Sequence, residues 1–136
     1  WMLGRCALAG GDDPGARKEA AVHLAEGTAE QTKENLVILK KLFADPSSYV
    51  RIEAAVSLVI LGKDLSQEYI LQELGSFNEY WQERVLSSLE RIRDPEKLGF
   101  AREALEAIAD LGTWSSDSKK RRNGEKAQQL LSKMGR

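Results

Sequence analysis

Arg17-Lys-Glu-Ala-Ala-Val-His-Leu24 returns as Arg51-Ile-Glu-Ala-Ala-Val-Ser-Leu58, 34 residues later and with six of eight letters unchanged. An internal echo at that distance marks a repeat architecture with one helical hairpin per unit. Around the second copy, Val50, Ile52, Ala55, Val56, Leu58, Val59, Ile60 and Leu61 cover most of a helix circumference. A helix that is apolar nearly all round is buried on several sides. Its flanks, Gln31–Ala44 and Glu79–Arg91, carry apolar stripes instead, at Leu36, Leu39, Leu42 and Phe43 and at Trp81, Val85, Leu89 and Ile92. Inner units of a stacked array bury both faces and terminal units keep a polar side.

Strand signals are nearly absent, and helical periodicity runs almost throughout. The spacing predicts helices over Trp1–Ala9, Gly15–Glu26, Gln31–Ala44, Ser48–Leu61, Ser66–Ser76, Glu79–Arg91, Pro95–Leu111 and, weakly, Glu125–Met134. All three prolines follow aspartate, at Asp13-Pro14, Asp45-Pro46 and Asp94-Pro95. Asp caps a helix start and Pro fits the first turn, so each pair reads as a turn or a helix start. Gly10, Gly27, Gly62 and Gly112 read as helix ends. Short connections place neighbouring helices antiparallel. Ala20, Ala21, Ala54, Ala55 and Ala104 are expected where paired helices approach closely. The expected fold is all-α, a short α-solenoid of antiparallel hairpins with about seven to eight helices.

A chain of 136 residues, 42% hydrophobic and 30% charged, has an ordinary globular composition. No apolar run approaches the roughly 20 residues of a membrane span, and no secretory signal is visible. From Lys119 to Arg136 there are seven basic residues and one acid, which leaves the rest of the chain at −7 within a net charge of −1. An acidic body argues against nucleic acid as partner. The run Lys119-Lys120-Arg121-Arg122 would oppose the macrodipole at a helix start. It is therefore expected to be loop, with Asn123 capping the last helix. The predicted domains are residues 1–114, a repeat domain, and 115–136, a basic linker with a weak helix.

Catalytic ingredients are missing. One histidine and one cysteine exclude a zinc site of the usual composition. Gly11-Asp12-Asp13-Pro14 lacks the ordered acid spacing of a calcium loop and reads as a turn. No phosphate cradle or nucleophile motif is present. His23 takes the slot of Ser57 in the echo and reads as a residue at the edge of the packed face. Cys6 reads as a small buried hydrophobe. The pair Glu103 and Glu106 reads as a solvated face. Neither a catalytic residue, a metal nor a cofactor is expected. The aromatics Tyr49, Tyr69, Phe77, Tyr80, Trp81 and Trp114 read in the first place as core filler; Tyr49, Arg51, Tyr80, Trp81 and Arg84 are the candidate partner-binding residues, because aromatics anchor interfaces and Tyr49 and Tyr80 lie near helix junctions.

Leu36 to Gly62 resembles a HEAT-type repeat: an amphipathic helix, an Asp-Pro turn, then a second helix opening on Val-Arg. The signature residues are Asp45, Pro46, Val50, Arg51, Ala54, Ala55, Leu58 and Gly62. The resemblance implies a structural Asp–Arg pair, Asp45 with Arg51, that links the turn to its neighbour. More narrowly, three stretches in order are similar to the helical-repeat region C-terminal to the catalytic domain of bacterial sulfatases. They are Trp1-Met-Leu-Gly-Arg-Cys-Ala-Leu-Ala-Gly10, Asp45-Pro-Ser-Ser-Tyr-Val-Arg-Ile-Glu-Ala-Ala55 and Gln82-Glu-Arg-Val-Leu-Ser-Ser-Leu89. The sulfatase motif Cys/Ser-x-Pro-x-Arg is not matched at Cys6. This resemblance implies a non-catalytic appendage that packs on a protein partner or an adjacent domain, with a catalytic domain upstream and a periplasmic or secreted location. The alternative is a free-standing HEAT-like protein scaffold, in which case the location would be cytoplasmic.

Overall fold

The computed structural model describes residues 13–26 and 29–134. The expected helix Trp1–Ala9 and the expectations for Cys6, Gly10 and Gly27 lie outside them. Among the described residues all regular structure is helical: seven α-helices and one 3-10 segment, with no strand. The chain divides into two compact units, Trp1–Ser66 and Gln67–Arg136.

In the first unit, α1 spans Pro14–His23, α2 Ala29–Leu42 and α3 Ser48–Ile60. Asp13 caps α1 by accepting the Gly15 N–H at 3.0 Å, with Pro14 in the first turn. Ser47 is the cap residue of α3 and Asp13 that of α1, so the 34-residue echo extends to the point where each helix begins. The echoed helices pack on each other, and α3 also packs on α2. Ser57 Oγ donates to the Ala21 carbonyl at 2.6 Å in this buried seam. From α2, Asn35 Nδ2 donates to the carbonyls of Leu24 and Glu26 at the open end of α1. That satisfies acceptors a helix end would otherwise leave bare.

The core of this unit joins Ala21, Leu24, Leu39, Leu42, Val50, Ala54 and Leu58. Every residue from Ile52 to Val59 is buried, as the all-round apolar pattern predicts. The helix stops where Gly62 takes φ +86°, a left-handed conformation that costs glycine least. The Gly62 N–H donates to the Val59 carbonyl and the Lys63 N–H to that of Leu58, both at 2.9 Å, which closes a Schellman cap. Ala54 is fully buried in the seam. Ala54→Leu should overpack it and cost about 1–3 kcal/mol, read from the midpoint of urea unfolding.

The second unit contains α4 (Gln67–Leu74), α5 (Glu79–Leu89), a 3-10 segment (Pro95–Ala101), α6 (Arg102–Trp114) and α7 (Ser118–Lys133). Asn78 caps α5 by accepting from the N–H groups of Tyr80 and Trp81. Two side chains of α5 reach back to α4: Gln82 Nε2 donates to the Leu74 carbonyl at 2.8 Å, and Trp81 Nε1 to Glu73 Oε1 at 3.2 Å.

Three expectations change here. The single helix over Pro95–Leu111 is two elements. Asp94 caps the first by accepting the Glu96 N–H, and Leu98 and Ala101, three apart, are both buried on one 3-10 edge. Gly112 is no helix end but lies inside α6, buried at its crossing with α7. A Cβ on Gly112 would stand 2.7 Å from the Gly124 Cα and 2.8 Å from the Lys120 carbonyl oxygen. The glycines let two backbones meet.

The third correction concerns the basic run. It is not loop but the first turns of α7, which starts at Ser118 rather than Glu125. Asp117 is the cap, accepting from the N–H groups of Lys119 and Lys120 at 2.8 and 3.3 Å, and so places a carboxylate against the adverse end of the dipole. Asn123 caps nothing. It is fully buried and donates through Nδ2 to the Glu79 carbonyl and Gln82 Oε1, both at 3.0 Å.

Candidate functional site: an apolar groove and two charge locks

Asp45 does not itself open α3, which begins three residues later. Its carboxylate organises the turn. Oδ1 accepts the Ser47 N–H at 2.9 Å. Arg17 grips it in a two-pronged contact, Nε to Oδ2 at 2.7 Å and Nη2 to Oδ1 at 3.2 Å, with both side chains largely buried. Arg17 is the echo partner of Arg51, so the carboxylate is held from the preceding copy of the repeat. Arg51 instead wraps the backbone of the turn, donating through Nη1 to the carbonyls of Asp45 (2.7 Å) and Pro46 (2.9 Å) and through Nη2 to Ser48 Oγ. Burial pushes the Asp45 carboxyl upward. The hydrogen bonds from Arg17 and the Ser47 N–H, with the charges of Arg17 and Arg51, outweigh it and hold the group below 3.8.

A second lock joins α7 to α5. Lys119 Nζ hydrogen-bonds Glu83 and lies 4.9 Å from the centre of the Tyr80 ring. Lys120 pairs with Glu79 at 3.8 Å. Lys126 reaches Ser87 Oγ at 3.0 Å and Glu90 at 3.7 Å. Half of the basic run is thus spent inside the unit, and Arg121 and Arg122 are the exposed remainder. The Lys119 hydrogen bond lowers the Glu83 carboxyl below 4.5; partial burial opposes it, and the charges of Lys119, Lys126 and Arg122 reinforce it. A depressed acid contributes stability above its unfolded value and loses it as pH falls through the folded one. Glu83→Gln should therefore be less stable than the parent at about pH 6, and the two should converge as pH drops through and below 4.5. Urea titrations at stepped pH check this.

Of the candidate binding residues, Tyr49 stands exposed in the first turn of α3. Arg51, two residues on, is committed to the turn. In the second unit Tyr80 is exposed beneath Lys119, Trp81 turns inward to Glu73, and Arg84 is half-buried. His23 is half-exposed beside Glu19 and Glu26.

A concave feature of the second unit lies away from these candidates. A groove of about 680 Å³ runs between α4, the turn after it and α6. Its base is Leu74 and Ile108, both buried. Small residues Gly75, Ser76, Ala104 and Ala107 line it, and Phe77 (fully exposed), Leu111 (69% exposed) and Trp114 (82% exposed) stand along it. Ala104 thus faces this groove, where a close helix pairing was expected. The signal was present in α6, which is apolar on two faces. Leu105, Ile108 and Gly112 are buried, while Ala104, Ala107, Leu111 and Trp114 follow helical spacing on the groove side. That is more apolar arc than one packed face needs.

Among the described residues no group of three His, Cys, Asp or Glu side chains converges as a metal site, and no helix is long and apolar enough to cross a membrane. Compared with known proteins, the chain matches no family model, no curated protein and no solved structure.

Proposed function

We propose that this chain is a non-catalytic helical-repeat interaction module: a short HEAT-like α-solenoid that packs on an adjacent domain or a protein partner. The observation that carries the reading is the groove of the second unit, where Phe77, Leu111 and Trp114 remain exposed around an apolar base. Water-exposed aromatics gathered at a concavity favour a binding role over a solvated face. The echo between α1 and α3, helices that pack on each other, supports the repeat reading. The bidentate hold of Arg17 on Asp45 does so too, since it ties one copy of the repeat to the turn of the next.

The larger protein we have in view is of the bacterial sulfatase kind, with this segment as its C-terminal helical appendage. That rests on the ordered stretches quoted from Trp1 to Leu89. Reading the gene upstream of Trp1 tests it: a Cys/Ser-x-Pro-x-Arg motif supports the proposal, and its absence removes it. Robust turnover of sulfate esters by this chain alone would sink the non-catalytic reading. A free-standing protein scaffold is the second reading, favoured by Tyr49 and Tyr80, each exposed at a helix start.

A further inference from the structure

Asn123 is followed by Gly124, the only Asn-Gly pair in the chain. Asparagine is a thermolabile residue. Before glycine it is most so, because no side chain shields the next backbone nitrogen from its amide carbon. Here the pair lies inside α7 and is buried. Three features keep the reacting atoms apart. The helix holds Asn123 near a ψ of about −42°, and ring closure needs a different one. The i→i−4 ladder takes up the Gly124 N–H. Asn123 Nδ2 is pinned across to α5, on the Glu79 carbonyl and Gln82 Oε1, both at 3.0 Å.

The same pocket has no place for an acid. Both partners of Nδ2 are acceptors. Gln82 cannot turn its amide round to donate, since its own Nε2 is held by the Leu74 carbonyl at 2.8 Å. Asn123 Oδ1 already lacks a hydrogen-bond partner among the described residues. A carboxylate at this position would be a fully buried charge facing two more oxygens. An isoaspartate would also lengthen the main chain just before Gly124, where a single added Cβ would stand 2.9 Å from the Gly112 Cα.

We infer that Asn123-Gly124 is a latent deamidation site, gated by the packing of α7 on α5, whose product weakens the contact that protected it. When α7 opens, the Gly124 nitrogen attacks the Asn123 Cγ. A C–N bond forms, and the side-chain nitrogen leaves as ammonia together with the Gly124 amide proton. Water then opens the cyclic imide at either carbonyl, giving aspartate or isoaspartate, and the new acid releases its proton to solvent. Opening of the second unit is thereby made irreversible by a step whose only co-reactant is water.

The test holds the whole chain at mildly alkaline pH, in native buffer and at stepped urea, and follows the Asn123 peptide by mass spectrometry. The unfolded chain should convert at least about tenfold faster than the native one, because slow chemistry on a transiently opened state tracks its equilibrium population. Below the unfolding transition, the logarithm of the rate should climb linearly with urea. Gly112→Ala, which parts α6 from α7, should convert about fivefold or more faster in native buffer and at the parent rate in full denaturant. Asn123→Asp should have a lower urea midpoint than the parent or show no folded baseline by circular dichroism. Equal conversion of native and unfolded chain would overturn the inference. So would a native rate that Gly112→Ala leaves unmoved while its midpoint drops, or a parent-like midpoint for Asn123→Asp. None of this depends on the module reading, which fails separately, on sulfate-ester turnover.

Discussion

Arg17→Met should destabilise the chain by about 3 kcal/mol at neutral pH, the largest effect expected of a single side chain here. The reason is what it leaves behind. Methionine keeps most of the aliphatic stem, but Asp45 remains ionised in a largely buried turn with its two-pronged partner gone. Removing one member of a buried pair costs about 3–5 kcal/mol, and the lower end applies because Arg17 keeps 15% of its side-chain exposure. The Ser47 N–H and the charge of Arg51 still support the carboxylate, which also argues for the lower end. The pH dependence has a definite sign. Asp45 is depressed below 3.8 in the parent, so its contribution is present above 3.8 and fades as pH falls through the folded value. The gap between parent and Arg17→Met should therefore be widest at neutral pH and close in acid. Adding Asp45→Asn to Arg17→Met should recover part of the loss at neutral pH. A double-mutant cycle by urea unfolding measures the coupling, and strict additivity would show that the contact contributes nothing.

Gly112→Ala should cost about 1–3 kcal/mol although alanine is the better helix former by about 1 kcal/mol. An added methyl at this position meets backbone on two sides, the Gly124 Cα at 2.7 Å and the Lys120 carbonyl oxygen at 2.8 Å. Backbone cannot rotate away as a side chain can, so α6 and α7 must separate. Separation would loosen the second charge lock as well, because Lys119, Lys120 and Asn123 are carried on α7. Gly124→Ala has the reciprocal contact at 2.9 Å and should behave alike. The double variant should cost less than the sum of the singles, since one separation relieves both clashes. Thermal unfolding of the three variants reads this directly. A stabilised Gly112→Ala would mean that propensity alone governs the position and that the two helices do not touch there.

The groove and the locks differ in how far a linear reading reaches them. Asp45 and Arg51 are legible as repeat-signature residues, yet the cation on the Asp45 carboxylate is Arg17, 28 residues away. The letters are the same in both copies of the echo, so composition cannot say which arginine reaches across. The run Lys119–Arg122 looks unfavourable at a helix start when only its own helix is considered. Its partners, Glu79 and Glu83, lie on α5, some 36 to 41 residues upstream. Phe77 and Trp114 stand out as aromatics, but whether they fill a core or line a groove depends on which side of α6 the rest of the unit occupies.

Capping, turn chemistry and helical period act over a few residues, and each can be read along the chain. That is why the all-helical class, the 34-residue echo, the Asp13-Pro14 start, the Gly62 stop and the burial of Ile52–Val59 follow from the order of amino acids. Charge pairing, backbone approach and concavity arise between segments far apart in the chain. The hold of Arg17 on Asp45, the meeting of Gly112 with Gly124 and the open face of α6 exist because helices pack at particular distances, and such distances are properties of the folded arrangement.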